Sequence, residues 1–158
     1  MMNVTRKKVV SLALTIILGL AAVSGCKKGD DPNSDIPYAH INVTINPNST
    51  MYQELNIVGG WMYYPWVDAP SRGLIIYRLT QEDFKAYERT PPVNSNACCD
   101  IETGSCTALV VDDYYPFVHD TCSDLNFQII DGSPITPATI PLKSYHTLYD
   151  GTNLYITN

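Results

Sequence analysis

His40-Ile41-Asn42-Val43-Thr44-Ile45-Asn46 places an apolar residue at every second position, the pattern of a strand with one face in a core and the other in water. Leu74-Ile75-Ile76-Tyr77-Arg78 lacks that alternation and reads as a more fully buried strand. Ala108-Leu109-Val110-Val111, Tyr115-Pro116-Phe117-Val118, Phe127-Gln128-Ile129-Ile130 and Leu154-Tyr155-Ile156-Thr157 supply further short strands. Turn formers separate them at Gly59-Gly60, Ala69-Pro70-Ser71, Asp112-Asp113, Asp131-Gly132 and Asp150-Gly151. Only Thr80-Gln81-Glu82-Asp83-Phe84 has the start of a helical turn, with Thr80 as cap and Asp83 at the capping-box position. Many short strands in so small a chain predict an all-β fold, an antiparallel sandwich or barrel. No internal repeat is visible.

The N-terminal stretch has a different character. Arg6, Lys7 and Lys8 precede an uncharged, mostly apolar run from Val9 to Val23, and Val23-Ser24-Gly25-Cys26 brings small residues up to a cysteine. The run is shorter than the roughly 20 residues a membrane-spanning helix needs, so 1–25 reads as a signal peptide. Val-Ser-Gly-Cys resembles the lipobox of bacterial lipoproteins, which implies that Cys26 carries a lipid and anchors the chain to a membrane; Leu is commoner where Val23 stands. An ordinary cleaved signal is the alternative, and it also exports the chain. Residues 26–36, with Lys27-Lys28-Gly29-Asp30-Asp31-Pro32-Asn33-Ser34-Asp35 after the cysteine, read as a flexible linker. Basic residues followed by paired acids resemble the surface-export signal of Bacteroidetes lipoproteins, and a plain solvated linker is the competing reading. The expected location is the bacterial outer membrane, on its periplasmic or its surface face. Asn42-Val43-Thr44 and Asn48-Ser49-Thr50 match a glycosylation pattern that carries no weight in a bacterial lipoprotein.

Composition limits what remains. Residues 37–158, roughly 120 in number, suffice for one domain with a modest core. From Cys26 onward seven Lys and Arg face sixteen Asp and Glu, a net charge near −9. Such a surface argues against nucleic acid as a partner, because phosphate binding needs clustered cations.

The order of the segments carries a resemblance. Ser71-Arg72-Gly73-Leu74-Ile75-Ile76-Tyr77-Arg78, then Phe84-Lys85-Ala86-Tyr87-Glu88-Arg89-Thr90, then Phe127-Gln128-Ile129-Ile130-Asp131-Gly132-Ser133-Pro134-Ile135, and finally Pro137-Ala138 and Pro141-Leu142-Lys143-Ser144-Tyr145, resemble a Rieske-type iron–sulfur domain of the small, lipid-anchored Bacteroidetes kind. The resemblance runs from about Ile41 to Ile156 and is strongest in the C-terminal half. It implies a Rieske-like β domain with a loop-rich subdomain, whose ligand loops fall at about 89–127. Phe127 can anchor a strand, Asp131-Gly132 reverses the chain, and Pro134, Pro137 and Pro141 stiffen the return to Leu142 and Tyr145.

A Rieske [2Fe–2S] cluster takes two Cys and two His, which the family supplies as Cys-x-His and Cys-x-x-His. Counting from Ala86-Tyr87-Glu88-Arg89-Thr90 places Pro91 and Val93 at the first pair, and counting back from Phe127 places Asp120 and Ser123 at the second, with Cys122 adjacent. None is a thiolate or an imidazole, and the hard oxygens of Asp120 and Ser123 suit other metals. No cofactor is therefore expected. An irregular [2Fe–2S] or zinc site would have to draw on His119, Cys122, Cys98 and Cys99, with Cys106 as a further thiolate. Adjacent Cys98 and Cys99 point apart in an extended chain and seldom share a metal. Disulfides are the better account: four cysteines remain beside Cys26 in an exported chain. Three connectivities exist. Spacing favours Cys99–Cys106, closing a loop around Thr103-Gly104-Ser105, with Cys98–Cys122 joining the two ligand-loop positions.

Trp61-Met62-Tyr63-Tyr64-Pro65-Trp66 is either a strand with alternating core and surface residues or a surface on which a glycan stacks. His119 reads as a strand-edge histidine with an ordinary partner, and His40 and His146, with no acidic or cysteine neighbour at a useful spacing, read as strand residues. A G-x-S-x-G elbow, an H-E-x-x-H helix and a P-loop are all missing from the sequence, and Glu82-Asp83 and Asp112-Asp113 read as solvated turns. The sequence thus supports no enzyme. It supports an envelope lipoprotein with a Rieske-like fold that has lost its cluster and serves a structural or interaction role with an envelope protein or glycan. Two alternatives are an electron-transfer protein with a [2Fe–2S] cluster on rearranged ligands and, more weakly, a carbohydrate-binding module built on Trp61 and Trp66.

Overall fold

The computed structural model describes residues 35–112 and 116–158. The expected signal peptide and linker up to Ser34, with Cys26 between them, Asp113 and the first residue of the Tyr115–Val118 segment lie outside the described residues. Among the described residues, ten strands and one short 3-10 helix make up the regular structure. They run β1 (Asn42–Ile45), the 3-10 helix Thr50–Leu55, β2 (Trp61–Tyr64), β3 (Leu74–Arg78), β4 (Phe84–Glu88), β5 (Val110–Val111), β6 (Phe117–Asp120), β7 (Leu125–Gln128), β8 (Pro134–Ile135), β9 (His146–Tyr149) and β10 (Leu154–Thr157). They form three sheets in the orders β1-β10-β9, β2-β3-β4 and β5-β6-β7-β8, with every pairing antiparallel.

The sheet of β2, β3 and β4 is the middle layer. Leu74 and Ile76 of β3 and Phe84 and Ala86 of β4 face a core shared with Val43 and Ile45 of β1 and Leu154 and Ile156 of β10. Ile75, Tyr77 and Tyr87 face a second core with Val118, Phe127, Ile129 and Leu142. A strand buried on both faces needs apolar residues at odd and even positions alike. That is why Leu74 to Tyr77 is unbroken and β1, with one face in water, alternates.

The first two sheets also join side by side. Tyr145 donates its backbone N–H to Ala86 O (2.9 Å), Glu88 N–H donates to Lys143 O (2.9 Å), and the Thr147 hydroxyl donates to Phe84 O (2.8 Å). The segment entering β9 is thereby laid along β4, so the chain from β5 to β8 is an insertion held between β4 and β9.

Local chemistry misleads at one point. The Thr80 hydroxyl accepts from Asp83 N–H (2.9 Å) and donates to Asp83 Oδ2 (3.0 Å), the bonds expected of a helix cap. Yet Phe84 begins a strand. The bonds instead fold a hairpin turn, because Arg78 pairs with Phe84 and the register continues to Leu74 opposite Glu88. The 3-10 helix Thr50–Leu55 follows a turn-rich run with no helical periodicity and is not apparent in the sequence. Leu55 seals its underside at 0% exposure, and Gly60 is required beside it, since a Cβ there would lie 1.9 Å from Glu54 O.

Ile36 differs from the linker reading. It is buried, and the neighbouring Asp35 carbonyl accepts from the Ser95 hydroxyl (2.9 Å). An apolar side chain at the end of a polar run found a place in the fold. No helix among the described residues is long and apolar enough to cross a membrane.

Candidate functional site

The polar centre of the molecule lies where β4 meets the insertion. Glu88 occupies the same face of β4 as Phe84 and Ala86, so alternation carries a carboxylate into the interior, where it is 1% exposed. Five donors receive it. Oε2 accepts from Ser71 Oγ and Tyr145 Oη, each at 2.7 Å. Oε1 accepts from Arg72 N (3.0 Å), Thr90 N (3.0 Å) and Thr90 Oγ1 (2.8 Å). Burial raises the Tyr145 phenol pKa well above its ordinary value, and the adjacent carboxylate raises it further. Both oxygens of Glu88 are engaged and shielded from solvent, so it acts as a clamp on three chain segments rather than as a base facing a substrate.

Two arginines tie the insertion to this clamp. The Arg72 guanidinium donates to Thr107 O (2.6 Å) and Ser95 O (2.5 Å) and approaches Asn96 Oδ1 (3.4 Å) and Cys99 Sγ (3.7 Å). Burial lowers its pKa, while Glu88 and Asp120 oppose that shift. Arg89 marks the neck of the loop: its carbonyl accepts from Leu109 N (2.7 Å), and its Nε donates to Leu109 O (3.0 Å). Its guanidinium carbon lies 3.9 Å from the centre of the Tyr63 ring, a cation–π contact; burial lowers its pKa, while the electrostatic effects of Tyr63 and Glu88 oppose that shift. The chain from Thr90 to Ala108 is therefore a closed excursion with a fixed base.

Two disulfides complete it. Cys98 pairs with Cys122 across the insertion, and Cys99 pairs with Cys106 within the loop. This is the pairing that spacing favours. Cys98, at the end of a turn, and Cys99, in a bridge with Cys106, go to different partners. Two disulfides in one domain are the mark of an oxidising, extracytoplasmic compartment.

The four positions that counting assigned to cluster ligands have other occupations. Pro91 is buried and Val93 half-buried in the loop after β4, and neither side chain has a donor atom. Asp120, 1% exposed, accepts from Cys122 N (3.0 Å) and from the Ser123 hydroxyl. Asp120 and Ser123 thus bond to one another and shape the turn that presents Cys122. These residues do not fit a [2Fe–2S] cluster: two have no lone pair to give, two are spent on each other, and the four neighbouring thiols are joined in pairs. His119 is an interior residue of β6, opposite Val110 and Asn126, rather than a strand-edge one. Its Nδ1 lies 2.9 Å from Asn126 Oδ1 and its Nε2 3.7 Å from Asp124. Among the described residues no three His, Cys, Asp or Glu side chains converge on a metal position.

The aromatic run divides. Trp61 and Tyr63 of β2 pack edge to face (5.1 Å) against the core that contains Phe127. Met62 and Tyr64 face the opposite core, and Trp66 stacks edge to face on Tyr64 (5.2 Å) with 66% exposure. Trp61 borders an open depression of about 560 Å³ with Met51, Glu54, Met62 and Tyr63. Trp66 borders a smaller one of about 110 Å³ with His40, Asn42 and Asp68. Trp61 packs on the Phe127 side of β2, whereas Trp66 lies beyond the end of β2 and stacks on Tyr64, which faces the other core, so the two indoles border separate depressions rather than one stacking platform. His40 precedes β1, and His146 is an exposed residue of β9.

Glu88 and Arg72 are the residues that sequence reading missed. A signal existed for Glu88, an acid on the apolar parity of Phe84-x-Ala86-x-Glu88. None existed for Arg72, whose partners are 23 to 35 residues away. No protein-family model matches the chain, and no curated protein or solved structure matches it either.

Proposed function

We propose that this chain is an outer-membrane lipoprotein with a Rieske-like β domain in which disulfides have replaced an iron–sulfur cluster as the link between the two ligand loops. Its role on this reading is structural or interactive at the envelope, with the lipid on Cys26 as its membrane contact and an envelope protein as its partner. The single observation that carries the reading is the Cys98–Cys122 bond, which ties the loop after β4 to the turn after β6, the two places where counting put the ligands. The insertion of a four-stranded, loop-rich unit between β4 and β9 supports the Rieske-like part. So does Phe127, fully buried as the anchor of that unit.

A cluster orders loops by bonding four side chains to iron. Here Arg72, Asp120 and two disulfides supply that order from the chain itself. The acidic surface and closed polar network favour a scaffold over a catalyst.

The test is to purify the full chain anaerobically in detergent, then record its visible spectrum, iron content and free thiols. A colourless protein without iron, with Cys98, Cys99, Cys106 and Cys122 all unreactive to alkylation, is expected. A brown protein with about two irons per chain overturns the reading in favour of electron transfer on rearranged ligands. Retention on a glycan surface that is lost in Trp61→Ala or Trp66→Ala overturns it in favour of carbohydrate binding.

A further inference from the structure

The two disulfides differ in their electrostatic surroundings. Cys99 Sγ lies 3.7 Å from an Arg72 guanidinium nitrogen, and Arg72 is held in place by the carbonyls of Ser95 and Thr107. Cys122 lies beside a carboxylate instead, its N–H donating to Asp120 Oδ1 at 3.0 Å. A cation next to a sulfur stabilises the thiolate and makes it a better leaving group, whereas an anion does the reverse. Arg72 also faces the carboxylates of Glu88 and Asp120, but its guanidinium is the charged group in contact with the Cys99 sulfur; the acids on the Cys99–Cys106 loop itself, Asp100 and Glu102, are exposed and screened by solvent and salt. Asp100 is further occupied, accepting from the backbone and side chain of Thr103 and from Glu102 N–H.

Access does not separate the two bonds, since Cys99, Cys106 and Cys122 are half-exposed and Cys98 is exposed. What differs is the chain each bond closes: the segment from Asp100 to Ser105 is exposed throughout, with Ile101 at 100%. The base of the loop is held independently by Arg72, by Leu109 N–H to Arg89 O and by Cys98–Cys122. Opening Cys99–Cys106 therefore leaves the domain closed, with the tip held only by hydrogen bonds such as Asp100 N–H to Ser105 O.

We propose that Cys99–Cys106 is a thiol–disulfide exchange site that accepts two electrons from an external dithiol, with Cys99 as the leaving group beside Arg72. The first thiolate of the dithiol attacks Cys106 Sγ, a mixed disulfide forms, and the Cys99–Cys106 bond breaks to release Cys99 as thiolate. The second thiol loses its proton to water and attacks the donor sulfur of the mixed disulfide. That step closes the donor's own disulfide and expels the Cys106 thiolate, which takes a proton from water. The dithiol is oxidised by two electrons and the loop reduced by two, while Cys98–Cys122 stays intact. The cation has a further role in the reduced loop: Cys99 remains a thiolate where Cys106 is a neutral thiol. The inference rests on the disulfide pairing and not on the Rieske-like reading. Iron content decides the latter, and the order of thiol release decides this one.

The experiment treats the full chain in detergent with dithiothreitol as the probe dithiol, quenches with acid at intervals, alkylates, and maps the labelled cysteines by mass spectrometry. Cys99 and Cys106 are expected to label together, well before Cys98 and Cys122. Arg72→Gln is expected to slow that first step about three- to tenfold, the effect of a leaving thiol whose pKa rises by about one to two units. In the wild-type chain reduced at this bond alone, the pH profile of alkylation should place Cys99 below the ordinary thiol range and Cys106 within it. This profile needs no variant and holds if Arg72→Gln misfolds. Simultaneous release of all four thiols, or Cys98–Cys122 opening first, overturns the proposal. So does a Cys99 profile no lower than that of Cys106.

Discussion

Replacing Glu88 by Leu tests whether the buried carboxylate is what joins the Ser71–Gly73 loop, β4 and the segment entering β9. The side chains are similar in volume, so the variant removes acceptors and leaves five donors behind. The Ser71 and Thr90 hydroxyls can rotate to other acceptors. The N–H groups of Arg72 and Thr90 cannot, and the Tyr145 hydroxyl is enclosed. Three stranded donors at about 1–3 kcal/mol each, less about 1.5–3 kcal/mol for the added apolar burial, leave a net loss of about 4 kcal/mol. That is a large part of a small domain's stability of about 5–15 kcal/mol. Glu88→Gln keeps an oxygen for the two N–H groups and offers an NH2 to the Ser71 and Tyr145 hydroxyls, which can turn to accept. Its expected loss is about 1–2 kcal/mol, since only the charge assistance is removed. Urea unfolding of the oxidised protein measures both. At an m-value of about 2 kcal/mol/M, the Leu variant should unfold about 2 M earlier and the Gln variant less than 1 M earlier. A Leu variant within about 1 kcal/mol of the parent, with unchanged m, would refute the view that Glu88 clamps these segments.

Loop-closure entropy sets the cost of deleting each disulfide: removing Cys98–Cys122, with a sequence separation of 24, should cost about 3.5 kcal/mol and removing Cys99–Cys106, with a separation of 7, about 2.5 kcal/mol. Alanine pairs and thermal unfolding check the ranking, and a larger loss from the shorter loop contradicts it. Alkaline pH should destabilise the fold. Tyr87 and Tyr145 have folded pKa values raised by burial, so above about pH 10 the unfolded chain releases protons that the folded one keeps, and stability falls as pH rises. Absorbance at 295 nm should therefore leave at least two of the eleven tyrosines un-ionised until unfolding. Titration of all eleven in the native state contradicts that. Gly132→Ala should cost about 1–3 kcal/mol, because Gly132 has a positive φ of 74° and a Cβ would lie 2.8 Å from Tyr87 Cε1; equilibrium unfolding measures it, and a neutral result shows that the Tyr87 ring can yield.

Much of the fold is decided by short-range pattern. Alternation in Asn42–Ile45 and its absence in Leu74–Arg78 specify a one-sided and a two-sided strand, because the side-chain period of two holds whatever the neighbours are. An even number of cysteines after Cys26 in a chain that begins like an exported one makes disulfides the economical expectation. The acid at Glu88 was readable by the same parity, as a carboxylate on the face of Phe84 and Ala86. Thr80 and Asp83 show where such reading ends: one set of side-chain bonds suits a helix start or a hairpin turn, and only pairing of β4 with β3 chooses between them.

The rest depended on three-dimensional closure. The separation of Trp61 from Trp66 follows from packing β2 between two cores. The partners of Arg72, contributed by Ser95 and Thr107, are brought within reach when Arg89 and Leu109 close the neck of the insertion. Asp120 and Ser123, neutral in sequence, become a turn that delivers Cys122 to Cys98. Local sequence determines which residues form strands and which reverse the chain, since those preferences act within a few bonds. Which sulfur meets which, and which disulfide has a cation beside it, is set by contacts between distant segments that exist only after the sheets have packed.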